Sequence, residues 1–247
     1  MRLAIFSDIH GNLEALEAFI EDAYECEVDD YICLGDVVGY GAAPAQCMER
    51  LNSLPRFSLL LGNHDAAAIW QMSPYQMNAS ASKAILWTMD QLSEAQTRRL
   101  AALETTLQAH DMLFCHANPY SPQGWHYVTT WFSAMRSFMA TRHKVIFVGH
   151  THHPKLVTRS GGLRIHFSDP PPHREIVALK PECRYIVDCG SIGQPRDGNP
   201  EAGYVICDTE APSVTFRRFA YDIEAAARRI RQAGLPCQLA ERLFRGR

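Results

Sequence analysis

The sequence has no long apolar run, no excess of charge of one sign and no stretch rich in glycine and serine. Its opening residues, MRLAIFSDIHGN, interrupt a short apolar run at Asp8, so they lack the apolar core and cleavage site of a secretory signal. No segment approaches the length of a membrane span. We therefore expect neither export nor a membrane partner.

The charge balance argues against nucleic acid as a partner. The formal net charge at pH 7 is -3, from 24 Lys and Arg against 27 Asp and Glu. A protein that binds a duplex is expected to present a basic face, because it must neutralise phosphates. The sequence therefore predicts no duplex partner and does not favour a nuclease.

The eight cysteines include no C-x-x-C pair, which is a spacing typical of redox and zinc sites. Cys33, Cys115 and Cys207 lie within apolar runs, where a free cysteine behaves as a small apolar side chain. This usage predicts a reduced, cytoplasmic protein without disulfides. The 247 residues contain no repeat and no linker, which predicts a single domain over 1–247.

Five short apolar runs occupy the first 150 residues. Such continuous runs are typical of strands buried on both faces, and the helical patterns between them predict a mainly parallel sheet. In chain order the runs are RLAIFSD, DYICLGD, FSLLLGN, DMLFCH and KVIFVGH.

Helical patterns separate these runs. Residues 12–25 follow a capping Asn12, and residues 44–54 begin at Pro44. A longer helical insertion is predicted near 66–103, rich in Met and Trp. We interpret its large apolar residues as the core of the insertion, and they are Trp70, Met72, Met77 and Trp87.

From residue 155 onward the pattern changes to short strands separated by Gly, Pro and Asp turns. These strands predict a second, antiparallel sheet. An amphipathic helix is expected from Asp222 to Gly234, with a short helix after Pro236. The chain as a whole therefore has an α/β pattern.

All five early strands end in residues of the types that bind metals. In an open parallel sheet, ligands bind at the carboxyl ends of the strands, so these side chains are expected to meet at one edge. The residues are Asp8 and His10, Asp36, Asn63 and His64, His116, and His150 and His152.

The mixed nitrogen and oxygen donors suit Mn, Fe, Zn, Co or Ni rather than a thiolate-type structural zinc site. Two such cations about 3.5–4 Å apart can hold a hydroxide between them and clamp a phosphoryl oxygen. Asp36 is the expected bridge, because a carboxylate can offer one oxygen to each ion. We therefore expect two divalent transition-metal ions as cofactors.

The motifs D-x-H (8–10), G-D (35–36), G-N-H-D (62–65), a lone His116 and G-H-x-H (149–152) occur in this order. In this respect the sequence resembles the calcineurin-like metallophosphoesterase superfamily. The segment GSIGQPRDGNP at 190–200 is similar to that of small bacterial phosphoesterases of this kind. The resemblance implies a four-layer α-β-β-α sandwich of two mixed sheets flanked by helices.

The resemblance also implies a role for each motif residue. The first metal would be held by Asp8, His10, Asp36 and His152. The second metal would be held by Asp36, Asn63, His116 and His150. His64 would be the catalytic histidine near the leaving-group oxygen, and a hydroxide bridging the metals would be the nucleophile.

One block departs from the related Ser/Thr phosphatases and from the symmetrical dinucleoside tetraphosphatases most similar to them. Those enzymes read G-D-x-V-D-R-G where this chain reads GDVVGYG. Gly39 and Tyr40 stand where those enzymes have Asp and Arg. Arg196 is the candidate replacement for the phosphate-binding arginine, since Arg is the preferred fork for phosphate. His126, in a loop after His116, is a second candidate substrate-binding residue, with a structural turn as the alternative.

Two further interpretations stay open. Asp65 is either a cap for the helix that follows it or a support for the site. The histidines outside the motifs are interpreted as ordinary surface or core residues, and they are His110, His143, His153, His166 and His173.

The leading hypothesis is hydrolysis of a small phosphomonoester or phosphodiester, with nucleotides among the candidates. Alternatives are symmetrical dinucleoside tetraphosphate hydrolysis, cyclic-nucleotide cleavage and a protein Ser/Thr phosphatase-like activity. The last is disfavoured because the Asp–Arg pair is missing. A non-catalytic metal-binding scaffold is the alternative of another class, and it would predict missing ligands.

Overall fold

The computed structural model describes residues 1–171 and 174–247, and these residues form two six-stranded sheets with helices on both sides. The strands are β1 (Arg2–Phe6), β2 (Asp30–Cys33), β3 (Phe57–Leu59), β4 (Thr106–Ala109), β5 (Met112–Cys115), β6 (Val145–Val148), β7 (Lys155–Ser160), β8 (Ile165–Ser168), β9 (Ile176–Ala178), β10 (Cys183–Asp188), β11 (Ala202–Asp208) and β12 (Ser213–Phe219). The helices are α1 (Leu13–Glu25), α2 (Pro44–Asn52), α3 (Asn63–Ala68), α4 (Ala79–Gln91), α5 (Glu94–Ala101), α6 (Trp131–Ala140), α7 (Ile223–Gln232) and α8 (Cys237–Glu241). Short 3-10 segments lie at Pro74–Gln76, Pro122–Gly124 and Arg242–Arg245.

Both sheets are mixed, as the resemblance implied. The first has the order β3-β2-β1-β11-β12-β9, and the second has the order β4-β5-β6-β10-β7-β8. Parallel pairing joins β1, β2 and β3 in the first sheet, and β5, β6 and β10 in the second. The other pairs are antiparallel.

The expectation of one parallel sheet followed by a separate antiparallel sheet was wrong. The five early strands divide between the two sheets, and the later strands pair against both groups. In particular, β11 pairs with β1 and β10 pairs with β6. Apolar runs indicate burial on both faces but carry no information about the neighbouring strand, which explains the error.

The alternation of side chains builds four layers. Leu3 and Ile5 of β1 pack between the two sheets, together with Phe114 and Phe147 of the second sheet. The alternate residues of β1 face α1, where the ring centroids of Phe6 and Phe19 lie 4.3 Å apart. Successive side chains of a strand point to opposite faces. Each sheet therefore packs against the other sheet on one face and against helices on the other face.

The outer face of the second sheet is covered by α6. Phe138 of this helix packs with Leu113 of β5 and Ile146 of β6. The next residues along these strands, Phe114 and Phe147, face the first sheet. The architecture is thus an α-β-β-α sandwich, which confirms the implied fold class. The single domain over 1–247 stays a prediction.

The predicted helices begin where their capping residues lie. The Asn12 side chain accepts a hydrogen bond from the backbone N–H of Ala15 at 3.1 Å, and Pro44 opens α2. Near the end of the chain, Asp222 caps α7 and α8 follows Pro236. No helix in the described part of the chain is long and apolar enough to cross a membrane.

The helical insertion contains α4 and α5, preceded by the short α3. Ala81 and Ala84 of α4 pack against Ile230 and Leu239 of the C-terminal helices, with Trp87 partly buried beside them. Trp70 does not belong to this core, because 59% of it is exposed. The insertion therefore forms a wall between the C-terminal helices and the ends of the early strands.

Candidate metal centre

The seven predicted metal ligands converge from both sheets. They follow β1, β2 and β3 in the first sheet, and β5 and β6 in the second. All seven side chains are more than nine-tenths buried, and they are Asp8, His10, Asp36, Asn63, His116, His150 and His152. The parallel strands of the two sheets therefore end at a common site.

One group of ligands gathers around Asp8. Its Oδ1 atom lies 3.1 Å from Nε2 of His152 and 3.6 Å from Nε2 of His10. The two imidazole Nε2 atoms are 3.2 Å apart. Asp8 Oδ1 is buried and accepts no hydrogen bond, which leaves this oxygen available to a cation.

A second group gathers around His116. Its Nε2 atom lies 3.2 Å from Oδ1 of Asn63 and 3.2 Å from Nδ1 of His150. Ligand atoms about 2.0–2.2 Å from a metal ion, at right angles around it, are separated by roughly 3 Å. The spacing in both groups is therefore that of atoms that surround an ion.

Asp36 lies between the two groups. Its Oδ2 atom is 3.4 Å from Nε2 of His116 and 3.8 Å from Nε2 of His10. Its Oδ1 atom accepts a hydrogen bond of 2.8 Å from the backbone N–H of His64. A single oxygen of Asp36 thus faces both groups, whereas the sequence suggested one oxygen for each.

Backbone carbonyls fix the tautomers of three ligand histidines. Nδ1 of His10 bonds the Val38 oxygen at 3.1 Å, and Nδ1 of His152 bonds the Gln194 oxygen at 2.6 Å. Nε2 of His150 bonds the Trp125 oxygen at 2.9 Å. A carbonyl only accepts, so each outer nitrogen carries the hydrogen and each inner nitrogen presents a lone pair.

Several ligand residues have a positive φ, which is costly for residues other than glycine. The values are 57° at Asp8, 50° at His10, 54° at Asp36, 68° at His150 and 60° at His152. Backbone strain of this kind persists where the surrounding structure enforces it, and it clusters at functional sites.

The carboxylates and imidazoles of the cluster shift one another's pKa values. Burial would raise the pKa of Asp36, but His116 and its neighbours hold it below its usual value. Burial would lower the pKa of His116, but Asp36 outweighs burial and raises it to about 9. The carboxylates around His116 therefore favour a positive charge at this position, and a metal ion would supply that charge.

The pKa values of two other ligand histidines shift downward. Burial, with Arg196 as the next cause, lowers the pKa of His152 to about 3. Burial and the nearby His116 lower the pKa of His150 to about 4. Both imidazoles are thus neutral at neutral pH, which is the form that binds metals.

His64 lies beside the cluster. Its ring centroid is 4.6 Å from that of His10 and 4.4 Å from that of Tyr40, and its Nδ1 atom is buried without a hydrogen-bond partner. Burial lowers the pKa of His64 well below its usual value. A Cβ at Gly39 would lie 2.4 Å from His64 Nδ1, so the imidazole occupies the space that a side chain at position 39 would need.

Asp65 serves as both helix cap and site support. Its Oδ2 atom accepts from the backbone N–H of Gly62 at 3.1 Å, which caps α3, and from that of Asp36 at 2.7 Å. Its Oδ1 atom accepts from the N–H of Val38 at 3.1 Å. Burial and the nearby Asp36 raise the pKa of Asp65 to about 7. One carboxylate therefore ties α3 to the loop that carries Asp36.

A cleft of about 290 Å³ opens onto the ligands, and this cleft we call the metal cleft. The metal ligands in its wall are Asp36, Asn63, His150 and His152. The remaining wall residues are Tyr40, His64, Met72, Gln76, Met77, Asn78, Ala81, Trp125, Tyr127 and Arg196.

Of the two candidate substrate-binding residues, one lines the metal cleft and the other does not. Arg196 lines it. His126 does not, because it is exposed and its ring stacks on Tyr120 with centroids 6.2 Å apart. Its neighbours Trp125 and Tyr127 line the cleft in its place. The alternating direction of the loop side chains turns His126 away.

Sequence reasoning missed Asp188, at the end of β10. Its carboxylate accepts from the Thr151 hydroxyl at 2.7 Å and from the Gly190 N–H at 3.0 Å, and it supports the loop between His150 and His152. Burial raises the pKa of Asp188 well above its usual value. The available signal was an acidic residue directly after an apolar strand.

Among the described residues, the histidines outside the motifs do not join the cluster. His110, His153 and His166 are exposed and His143 is half-buried. His173 lies outside the described residues.

Known proteins share both the sequence and the fold. The Calcineurin-like phosphoesterase superfamily domain matches residues 1–212. An uncharacterized protein from Methanocaldococcus jannaschii is 35% identical over 249 residues, covering 99% of this chain and 98% of the relative.

Solved structures agree with this relationship. A metallophosphoesterase from Sphaerobacter thermophilus is 36% identical, with a TM-score of 0.89 over 100% of this chain and 99% of that chain. A hypothetical protein from Pyrococcus horikoshii OT3, 18% identical, shares the fold with a TM-score of 0.81 over 100% of this chain and 98% of that chain.

The matched domain contains all five motif blocks, and the fold brings the residues of these blocks into one buried cluster of metal-ligand types. A relative more than one-third identical along nearly the whole chain is a metallophosphoesterase. By its sequence, its fold and its candidate ligands, this chain belongs to the calcineurin-like phosphoesterase superfamily.

Proposed function

We propose that this protein hydrolyses a small phosphomonoester or phosphodiester with the help of two divalent transition-metal ions. The observation that carries the proposal is the position of Asp36, whose Oδ2 atom faces His10 on one side and His116 on the other. An arrangement of two ligand sets about one carboxylate oxygen suits a pair of cations, because a single oxygen can bridge them.

The donor set fits the ions. Three histidines present lone pairs inward, and Asp8 Oδ1 is buried without a hydrogen bond. When bound, the two ions would lower the pKa of a water molecule to generate the nucleophile and would neutralise charge on the phosphoryl oxygens. Nitrogen and oxygen donors favour Mn, Fe, Zn, Co or Ni.

Side chains of the metal cleft supply the remaining functions. Arg196 orients the phosphoryl group, since a guanidinium forms paired hydrogen bonds with phosphate oxygens. His64 offers a ring N–H toward the leaving-group oxygen as the bond from phosphorus to that oxygen breaks. Trp125 and Tyr127 give one wall an aromatic surface, on which a nucleobase can stack.

Metal content and turnover together test this proposal. The purified protein is assayed for bound metal and then, with Mn supplied, against aryl mono- and diesters, cyclic nucleotides and dinucleoside polyphosphates. We expect about two ions per chain and hydrolysis of at least one ester class. Two bound ions without hydrolysis of any substrate would favour the non-catalytic scaffold instead.

Substitution of Asp36, the proposed bridging residue, tests the two-ion arrangement directly. Asp36→Asn removes the charge between the two ligand groups, so bound metal and turnover should fall together, with turnover reduced more than about 100-fold. Asp90→Asn, at an exposed position of α4, is the matched control and should leave both unchanged. Full metal content and full rate in Asp36→Asn would contradict a bridging role.

A further inference from the structure

Tyr40 forms a platform for two arginines at the edge of the metal cleft. Its side chain is only 5% exposed. The guanidinium carbon of Arg196 lies 5.5 Å from its ring centroid, and that of Arg242 lies 5.8 Å from it. Tyr40 follows β2, Arg196 lies in the loop after β10, and Arg242 follows α8, so three distant segments meet here.

Gln194 links the two guanidinium groups, which we call the arginine pair. Its Oε1 atom accepts from Nη2 of Arg196 at 2.7 Å and from Nη1 of Arg242 at 3.0 Å. The backbone oxygen of Gln194 also bonds Nδ1 of His152. Because both guanidinium groups reach one oxygen atom, a single phosphate can contact both.

The arginine pair has no acidic side chain as a partner among the described residues, and Nε of Arg242 donates to the main-chain oxygen of Arg247 at 2.5 Å. Arg217 and Arg229, by contrast, each pair with an acidic side chain. The Nε atom of Arg196 is buried and has no hydrogen-bond partner. Burial, and next the nearby Arg196, lowers the pKa of Arg242. Two neighbouring positive charges without an acidic side chain between them would be stabilised by an anion.

A second depression, of about 430 Å³, lies next to the metal cleft, and Asn78 lines both. The charged residues of its lining are three arginines and one glutamate, namely Arg242, Arg245, Arg247 and Glu241. The rim on this side is therefore basic, although the chain carries a formal net charge of -3.

The tail that carries these arginines is attached to the loop of Arg196. The N–H of Gly198 donates to the oxygen of Gly246 at 2.9 Å. A Cβ at Gly246 would lie 2.4 Å from the Asn199 oxygen, so the two segments are in close contact. Contacts between these two segments therefore hold Arg196 and Arg242 near each other.

We propose that Arg242, together with Arg196 at the edge of the metal cleft, forms a second phosphate subsite, with Arg196 shared between the scissile phosphoryl group and a phosphate group next to it. The substrate then carries at least one phosphate group in addition to the one that is cleaved. This inference rests on the proposed function, which puts the scissile phosphoryl group at the metal ligands. The substrate class is then compounds with a chain of phosphates, such as nucleoside or dinucleoside oligophosphates. A simple monoester fills the metal cleft and contacts Arg196 there, but leaves Arg242 without a phosphate partner.

Binding of inorganic tripolyphosphate and inorganic phosphate to the metal-loaded protein tests the subsite. Affinities are measured by calorimetry at a fixed excess of free Mn, so that chelation affects every variant equally. We expect tripolyphosphate to bind the unaltered protein at least about tenfold more tightly than phosphate. Arg242→Gln should weaken tripolyphosphate binding about tenfold or more, because a charge-assisted hydrogen-bond donor is lost.

The matched control is Arg228→Gln, at an exposed position of α7, which should bind both anions as the unaltered protein does. Arg242→Lys keeps the charge without the planar fork, and an intermediate loss is expected. Circular dichroism and the melting temperature identify any variant that fails to fold, and in that case Arg242→Lys decides the question. Tripolyphosphate affinity equal to that of the control in both Arg242 variants would overturn the subsite.

The two proposals fail in different ways. Hydrolysis of aryl esters without a preference for tripolyphosphate over phosphate would overturn the second subsite and leave the proposed function standing. Tripolyphosphate binding that depends on Arg242, without hydrolysis of any ester, would support the subsite and overturn the proposed function.

Discussion

At the scale of single residues, His64 differs from three of the ligand histidines in its contacts. The outer nitrogens of His10, His150 and His152 bond backbone carbonyls, whereas the Nδ1 atoms of His64 and of the ligand His116 have no hydrogen-bond partner. The ring of His64 packs on Tyr40 and lines the metal cleft, which suits a group that acts on the substrate. Because His64 also lies among the donor atoms of His10 and Asp36, its substitution distinguishes this role from that of a metal ligand.

Replacing His64 should therefore separate metal binding from turnover. His64→Ala is expected to keep the metal content of the unaltered protein and to lower kcat by about 10²–10⁴-fold, which is the usual effect of losing an acid–base group. Metal analysis and steady-state kinetics on the same preparation check this. His110→Ala, at an exposed histidine, is the control. A full rate in His64→Ala would show that the assigned role is wrong.

At the scale of structural elements, α3 and the loop after β2 act as one unit. The Asp65 carboxylate accepts backbone hydrogen bonds from Gly62, Asp36 and Val38, and it is completely buried. Gly62 itself is required by this close approach, since a Cβ there would lie 2.1 Å from Asp36 Oδ1. The central carboxylate of the site is thus held by the cap of the neighbouring helix.

Removing this cap should destabilise the protein and loosen the site. Asp65→Ala leaves three buried backbone N–H groups without an acceptor, and each unsatisfied group costs about 1–3 kcal/mol. We expect a loss of about 3 kcal/mol or more in the free energy of unfolding of the metal-free protein, measured by urea denaturation. Metal titration should show weaker binding as well.

The control for this prediction is Asp90→Ala, whose exposed position predicts a change within about 0.5 kcal/mol. Equal stability of Asp65→Ala and the control would mean that water replaces the carboxylate without cost. In that case the support role of Asp65 would have to be abandoned.

At the scale of the whole molecule, the candidate centre joins the two sheets. Asp36 follows β2 of the first sheet and His116 follows β5 of the second, yet Asp36 Oδ2 and His116 Nε2 are 3.4 Å apart. An ion held by both would connect the sheets at the end where the parallel strands terminate. Metal binding should therefore stabilise the entire fold rather than one loop.

Chelation tests this coupling. An ion present at about 100 times its dissociation constant adds about 2.7 kcal/mol to the stability of the folded state. For a chain of this size, that corresponds to a Tm roughly 5–11 °C higher, so EDTA should lower the Tm by this amount. Scanning calorimetry measures it. Asp36→Asn should respond much less to EDTA, and an equal response would contradict the central position of Asp36.

Local patterns located most of the strands and helices, although not β4 or α6, and they located the residues of metal-ligand types that follow the strands. Apolar runs located the strands that precede Asp8, Asp36 and His116, because burial on both faces leaves a clear signal. Capping residues such as Asn12 located helix starts, because their bonds are made within one turn. Asp65 stayed ambiguous, since its second set of partners lies in another loop.

The sequence by itself determined which residues terminate the strands, and therefore which metal-ligand types meet at one edge. Only the tertiary structure decided that both sheets contribute, that one oxygen of Asp36 faces both groups, and that Arg242 joins Arg196 on Tyr40. The physical reason is the separation along the chain between the residues that interact. Periodicity and capping depend on neighbours a few residues apart, whereas strand partners, side-chain direction and charge clusters depend on contacts between distant segments.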